Sequence, residues 1–221
     1  MLFRDRQDAG RQLAERLTQY RNENPLVVAI PRGGVPVGYE VARALGAPLD
    51  VIVVRKLGAP GNPEFGIGAI GPGGIRVLDR DAMDYLGVTE ADLEGTIATE
   101  QAEVERRIRR FRGDQPLHEV RDRTVIVVDD GLATGGTARA AIQALRQQHP
   151  RRLILAVPVA SPETVASFHS EVDELVCLAT PRYVRAIGLW YADFGQVSDE
   201  EVIAWLERAR QETDASAVGR R

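Results

Sequence analysis

Five apolar runs rich in β-branched residues punctuate the chain: 26–30 (LVVAI), 50–54 (DVIVV), 124–130 (TVIVVDD), 152–160 (RLILAVPVA) and 172–179 (VDELVCLA). Runs of this length without polar alternation predict strands buried on both faces of a parallel sheet. Between them the period changes to that of a helix. Residues 5–20 place Ala9, Leu13, Ala14 and Leu17 on one face, and 38–45 (GYEVARAL) and the segment up to about 148 also read as helices. Helix starts are explicit: Thr89 with Asp92 opens a long charged helix ending at Gly113, and Ser161-Pro162-Glu163 pairs an N-cap with a first-turn proline. Ser198 with Glu201 forms a capping box before Val202, Ile203, Trp205 and Leu206.

Alternating strands and helices predict an α/β fold with a doubly wound, mostly parallel five-stranded sheet. One domain over 1–213 is expected, with a frayed tail at 214–221. Two regions stand outside the alternation. Residues 55–74 (RKLGAPGNPEFGIGAIGPGG) read as a long lid-like loop, with a short strand or hairpin near 67–78. Residues 180–197 gather Tyr183, Trp190, Tyr191 and Phe194 in a chain with 5% aromatics, and this segment is the candidate hood.

Composition narrows the function. The 221 residues carry 28 basic and 32 acidic side chains, a net charge of −4, which argues against a general nucleic-acid binder. The arginines of 106–112 read as a solvated face at a helix C-terminus, where cations complement the dipole. Cys177 is the only cysteine, so neither an internal disulfide nor a zinc site is expected, and His118, His149 and His169 show no ligand spacing. With a charged N-terminus and no apolar run long enough to span a bilayer, the expectation is a cytoplasmic protein without a membrane role.

In open α/β sheets, ligands sit at the carboxyl ends of the strands. Three loops there are unusual. In 125–142 (VIVVDDGLATGGTARAAI) Asp129 and Asp130 end a buried strand, and a Gly/Thr loop then enters a helix. Small residues and free first-turn N–H groups make a monophosphate cradle, with Thr134 and Thr137 adding hydroxyls. Like charges repel, so the two acids should face something beside the phosphate that offers hydroxyl donors or a metal; a sugar phosphate does. In 30–38 (IPRGGVPVG) Arg32, Gly33 and Gly34 follow another core strand, where glycines let N–H groups converge on an anion. Third, Arg55 and Lys56, the only lysine in the chain, stand at the mouth of the Gly/Pro-rich stretch. Gly66, Gly68 and Gly71 inside it spell GxGxxG, but no core strand precedes them and no helix follows, so the dinucleotide fingerprint fails its structural test.

The strand, the two acids and the Thr-Gly-Gly-Thr loop resemble the 5-phosphoribosyl-1-pyrophosphate (PRPP) signature of the type I phosphoribosyltransferases. Two positions depart from it: Gly131 and Ala133 stand where family members more often have a larger aliphatic residue and a threonine. The resemblance implies that Asp129 and Asp130 bind the ribose hydroxyls, that Ala133, Thr134, Gly135, Gly136 and Thr137 hold the 5′-phosphate, and that Arg32, Gly33 and Gly34 bind pyrophosphate. It implies that Arg55 and Lys56 precede a mobile catalytic loop, where fixed cations stabilise charge on the leaving pyrophosphate, and that closure excludes water. Glu64 and Phe65 either contact the acceptor or pack the loop; Trp190 and Phe194 either stack on a planar base or serve core or dimer packing.

The implied activity is transfer of a phosphoribosyl group from Mg²⁺-bound PRPP to an acceptor nitrogen of a nucleobase, with inversion at C1 and release of pyrophosphate. No metal site follows from a direct motif; Mg²⁺ is expected through PRPP. A homodimer is the expected assembly. The alternative within the same fold is a regulator that senses PRPP or nucleotides without catalysis. A receiver-type signalling domain also ends a strand on paired acids, but has them early in the chain and lacks the Thr-Gly-Gly-Thr cradle.

Overall fold

The computed structural model describes residues 2–113, 115 and 118–218, without the side chains of Pro63, Glu64 and 216–218. In chain order the elements are α1 (Arg6–Glu15), β1 (Leu26–Ala29), α2 (Gly34–Leu45), β2 (Leu49–Val51), β3 (Arg55–Ala59), β4 (Asn62–Ile70), β5 (Arg76–Leu78), α3 (Arg80–Leu86), α4 (Glu90–Arg112), β6 (Thr124–Val128), α5 (Gly136–Arg146), β7 (Arg152–Val159), α6 (Pro162–Ser167), β8 (Glu174–Ala179) and α7 (Asp199–Val218).

The five apolar runs form one sheet in the order β2-β1-β6-β7-β8, parallel throughout. Alternate residues serve opposite layers. Val27 and Ala29 join the core of α1, α2, α4 and α7, whereas Leu26 and Val28 pack with Ala138, Ile142 and Leu145 of α5. Burial on both faces is why these runs contain no polar alternation. The fold class is therefore the one expected from the sequence.

Several helix starts match their sequence signals. Thr89 and Asp92 make a reciprocal capping box, Ser161 accepts from the Thr164 N–H, and Ser198 and Glu201 close the box at the start of α7. The first helix is shorter than expected: α1 ends at Glu15, and a 3₁₀ segment follows at Thr18–Glu23. The last is longer, since α7 runs to Val218 where fraying after Thr213 was expected; residues 219–221 lie outside the described residues. No described helix is long and apolar enough to cross a membrane.

The largest correction concerns 55–74. Instead of a long loop, β3 and β4 form an antiparallel hairpin that β5 extends to three strands. Pro60-Gly61 makes the turn, with Gly61 at φ 75°. Leu57, Ala59, Ile67 and Ile70 are buried and join the core that α4 packs on, so apolar positions hidden among the glycines anchor the hairpin. Gly68 is required: a Cβ there would overlap the Val77 carbonyl of β5.

A second correction concerns the arginine cluster. Arg106 and Arg107 pair with Glu103, and Arg110 with Asp199 and Glu200, as a solvated face should. Arg112 instead is only 6% exposed. Its Nε donates to Asp50 Oδ1 at 2.6 Å and its Nη2 to the Val51 carbonyl at 2.8 Å, which ties the end of α4 to the edge strand β2. Removing one partner of a buried ion pair leaves an uncompensated charge. Asp50→Ala is therefore expected to destabilise the chain by about 3–5 kcal/mol, read as a lowered urea midpoint; an unchanged midpoint would show that the pair contributes nothing.

Candidate functional site

β1 and β6 are neighbours, with Ala29 opposite Val128, so the loops that follow them emerge side by side. From β1 the chain moves to the edge strand β2; from β6 it moves the other way, to β7 and β8. The crevice between the two loops is thus a topological switch point, the usual ligand position in an open α/β sheet.

Into this crevice the structure brings two of the three predicted motifs. Gly33 and Gly34 lie against the acid pair so closely that a Cβ on Gly33 would overlap Asp130 Oδ2. One on Gly34 would come within 2.7 Å of the Val128 carbonyl. Close backbone approach, rather than unusual dihedrals, explains the glycines here. The peptide between Pro31 and Arg32 is cis. Gly135 does need its conformational freedom, with φ 73° and the Phe168 ring 2.7 Å from any added Cβ. At Gly131, Ile187 and Val159 leave no space for a side chain, which accounts for that departure from the family pattern.

Helices α2 and α5 begin at these loops, with Gly33 and Gly135 as N-caps, no side-chain cap and no acidic residue in the first turn. By contrast α1, α3, α4 and α6 are all capped by a side chain and carry an acidic residue in the first turn. The first-turn N–H groups of an uncapped helix are available to an anion, and the helix dipole favours negative charge there. Thr134 and Thr137 stand exposed at the start of α5.

The acids are held asymmetrically. Asp129 Oδ1 accepts from the Asp130 N–H at 2.8 Å, and Asp130 Oδ2 accepts from Arg6 Nε at 2.8 Å. Asp129 Oδ2 and Asp130 Oδ1 have no hydrogen-bond partner among the described residues, and neither is among the buried polar atoms lacking one. Each carboxylate therefore keeps one oxygen fixed and one open. Burial, and then the neighbouring Asp130 charge, push the Asp129 carboxyl well above the usual carboxylate range. Burial raises Asp130 as well, against the opposing pull of Arg6. Tyr191, buried beside them, donates its hydroxyl to the Asp130 carbonyl at 2.6 Å.

The third motif divides. Successive residues of a strand point to opposite faces, and on β3 this sends Arg55 to Glu100 of α4 at 2.6 Å and Lys56 towards α5. A Cβ on Gly136 would come within 2.6 Å of Lys56 Nζ, so the ammonium lies at the helix start, beside the cleft of about 410 Å³ between hairpin and α5. Lys56 has no ion pair or hydrogen bond among the described residues. Arg32 extends to Asp199 of α7 at 3.5 Å.

The acceptor candidates lie on two other segments, the hairpin and the aromatic stretch. Phe65 is exposed on β4, and the Glu64 side chain is outside the described residues. Trp190 and Phe194 pack with Phe3, Ala9 and Tyr191 in a small cluster, fastened by N–H bonds from Leu2 and Phe3 to the Trp190 carbonyl. Arg6 and Tyr191 are the site residues that sequence reasoning missed. Arg6 had no motif around it, and Tyr191 was noted only for its ring. Among the described residues no group of three or more His, Cys, Asp and Glu side chains is placed to hold a metal ion.

Comparison with known proteins agrees with this geometry. The phosphoribosyl transferase domain profile matches residues 4–179, and the chain belongs to that family. "Putative phosphoribosyl transferase Rv0571c" of Mycobacterium tuberculosis H37Rv is 46% identical over 218 residues, 98% of this chain and 49% of that protein. The chain thus spans about half the length of the curated relatives it matches in full. A uracil phosphoribosyltransferase of Legionella pneumophila Philadelphia 1 is 37% identical over 82 residues, 37% of this chain and 36% of that one. Among solved structures, TT1426 from Thermus thermophilus superposes with a TM-score of 0.86 at 46% identity, covering 94% of this chain and 99% of its own.

A raised carboxyl has a thermodynamic consequence. Above about pH 4 the unfolded chain has lost a proton that the folded chain still holds, so this contribution to stability falls as pH rises towards the folded-state value. Asp129→Asn removes the buried charge and relieves Asp130 of its like-charged neighbour. Its thermal midpoint should exceed that of the wild type at neutral pH, with the gap closing in acid. A neutral-pH midpoint at or below wild type would contradict this account.

Proposed function

We propose that this chain is a phosphoribosyltransferase that takes the 5-phosphoribosyl group from Mg²⁺-PRPP and transfers it to a ring nitrogen of a nucleobase, releasing pyrophosphate. One observation carries the reading: two adjacent carboxylates, each with a single open oxygen, stand beside an uncapped helix start. Two acceptor oxygens suit a cis-diol, and the helix start suits the phosphate two carbons further on.

In this reading Asp129 Oδ2 and Asp130 Oδ1 accept from the ribose hydroxyls. Residues 133–137 hold the 5′-phosphate, and the Gly33–Gly34 loop faces the pyrophosphate. Mg²⁺ enters as part of the substrate, neutralising charge on the departing pyrophosphate. Breaking the C1–O bond leaves positive charge on the sugar ring, and the acceptor nitrogen then forms the new bond at C1 from the opposite face, giving up its N–H proton to solvent. Lys56 is assigned to the 5′-phosphate, because its ammonium lies at Gly136 and not at the β1 loop. An ammonium against the positive end of a helix is repelled unless an anion lies between them.

A second reading, a protein that senses PRPP without turning it over, has one observation in its favour. Arg55 and Arg32, both expected to face pyrophosphate, are engaged by Glu100 and Asp199. Incubation with Mg²⁺-PRPP and a panel of purine and pyrimidine bases, following pyrophosphate release, separates the two. Base-dependent release supports transfer; PRPP binding with no release supports sensing.

Asp129→Asn combined with Asp130→Asn should abolish release while the circular dichroism of the fold is retained, and normal release from that double variant would refute the assignment. Lys56→Ala should weaken ribose 5-phosphate and PRPP by the same factor, since the group it is assigned to is common to both. A loss confined to PRPP would instead return Lys56 to the leaving group.

A further inference from the structure

We propose that Arg6 is a positioning residue of the ribose site: it fixes Asp130 so that Oδ1 faces a sugar hydroxyl, and it ties the aromatic segment 191–195 to that carboxylate. The inference rests on the phosphoribosyl-binding reading above.

Arg6 is the first residue of α1, 124 positions from Asp130 in sequence. Its guanidinium is engaged on three sides. Nε donates to Asp130 Oδ2 at 2.8 Å, Nη1 donates to the Gly195 carbonyl at 2.7 Å, and Cζ lies over the Phe194 ring, 3.8 Å from its centroid. Both ends of the ion pair are largely enclosed, the Arg6 side chain at 12% exposure and Asp130 at 15%. A planar fork with donors in fixed directions can hold two acceptors at once, which a single ammonium on a flexible stem does poorly.

The geometry constrains rotation of the carboxylate. Asp130 Oδ2 is held by Arg6 on one side and crowded by Gly33 on the other, so the group cannot turn without losing the ion pair. Oδ1 is left without a partner among the described residues, free to accept from a ligand. The guanidinium is held in turn by Gly195 and Phe194. Through it the segment that follows Tyr191 is in register with the acid pair, while the Tyr191 hydroxyl pins the Asp130 backbone.

The charged and titratable groups facing Asp130 are Arg6 from α1, Asp129 from its own loop, and Tyr191 from the aromatic segment. Burial and the acid pair hold the Tyr191 phenol well above its ordinary value, so it is a neutral donor. Arg6 is thus the one cation among these groups facing two acids. Without it the pair would retain a proton to higher pH, and a protonated carboxyl is a poorer acceptor for a hydroxyl.

The test is calorimetric binding of Mg²⁺-PRPP from about pH 5.5 to about 8.5 to wild type, Arg6→Gln and Arg6→Lys, with inorganic phosphate as a probe of the α5 cradle alone. Arg6→Gln should bind PRPP about tenfold more weakly at neutral pH, the effect of one lost charge-assisted contact. The acid limb of its binding curve should move to higher pH relative to wild type, with phosphate affinity unchanged. Arg6→Lys should keep the limb near its wild-type position, because the charge remains, while PRPP affinity falls several-fold. Equal losses for PRPP and phosphate at every pH would show that Arg6 only packs the segment, and wild-type PRPP binding by Arg6→Gln would overturn the inference outright. Should Arg6→Gln not fold, Arg6→Lys decides: wild-type PRPP affinity in that variant overturns the proposal. Wild-type protein that binds phosphate but no PRPP would bring down the underlying reading, and the inference with it; wild-type binding with unaffected variants brings down the inference alone.

Discussion

The parallel pairing of β1 with β6 sets the distance between two loops that are about a hundred residues apart in sequence. Because Ala29 lies opposite Val128, the backbone of Gly33 and Gly34 arrives against the carboxylates of Asp129 and Asp130. Everything at the site takes its position from that contact. The helices that start there leave their N–H groups uncapped, and each acid keeps one oxygen without a partner among the described residues. Register in a buried parallel sheet is strongly specified, since a slip of one residue would turn each strand's side chains to the wrong layer.

This arrangement is maintained against a local electrostatic penalty. Two carboxylates are held side by side with burial raising both, and only Asp130 has a cation beside it. Functional sites commonly carry such perturbed groups. Arg112 and Asp50 form a second buried ionic contact, but there the charges are matched within one pair and the contact joins α4 to the sheet edge. The first constellation is built to receive something, and the second to hold the architecture.

Much of this was legible in the sequence for physical reasons. Unbroken apolar runs can only be strands covered on both sides, so the sheet followed from 26–30, 124–130 and their counterparts. The acid pair and the Thr-Gly-Gly-Thr loop were legible because a strand end, paired charge and a small-residue helix entry make an uncommon combination. The hairpin was harder to see: its apolar positions, Leu57, Ala59, Ile67 and Ile70, are diluted by glycines, of which Gly68 serves close strand approach. Arg55 and Lys56 looked like one cationic unit until strand pleating separated them. Arg6 left no local trace at all, because its role arises from a contact between α1 and a loop 124 residues away. Arg112 was hidden among solvated arginines for a similar reason, its partner Asp50 lying on a distant strand.

The missing space at Gly33 and Gly34 also bears on how such a site can change over generations. A side chain at either glycine collides with the acid loop, and a displacement of the acids reaches those glycines in turn. The two loops are interlocked parts, neither free to drift alone. Variation has to come from surfaces that touch nothing rigid, such as Phe65 on the hairpin and Tyr183 and Leu189 ahead of the aromatic cluster, all three open to solvent. Divergence is therefore channelled into those segments, while the two interlocked loops stay mechanically fixed.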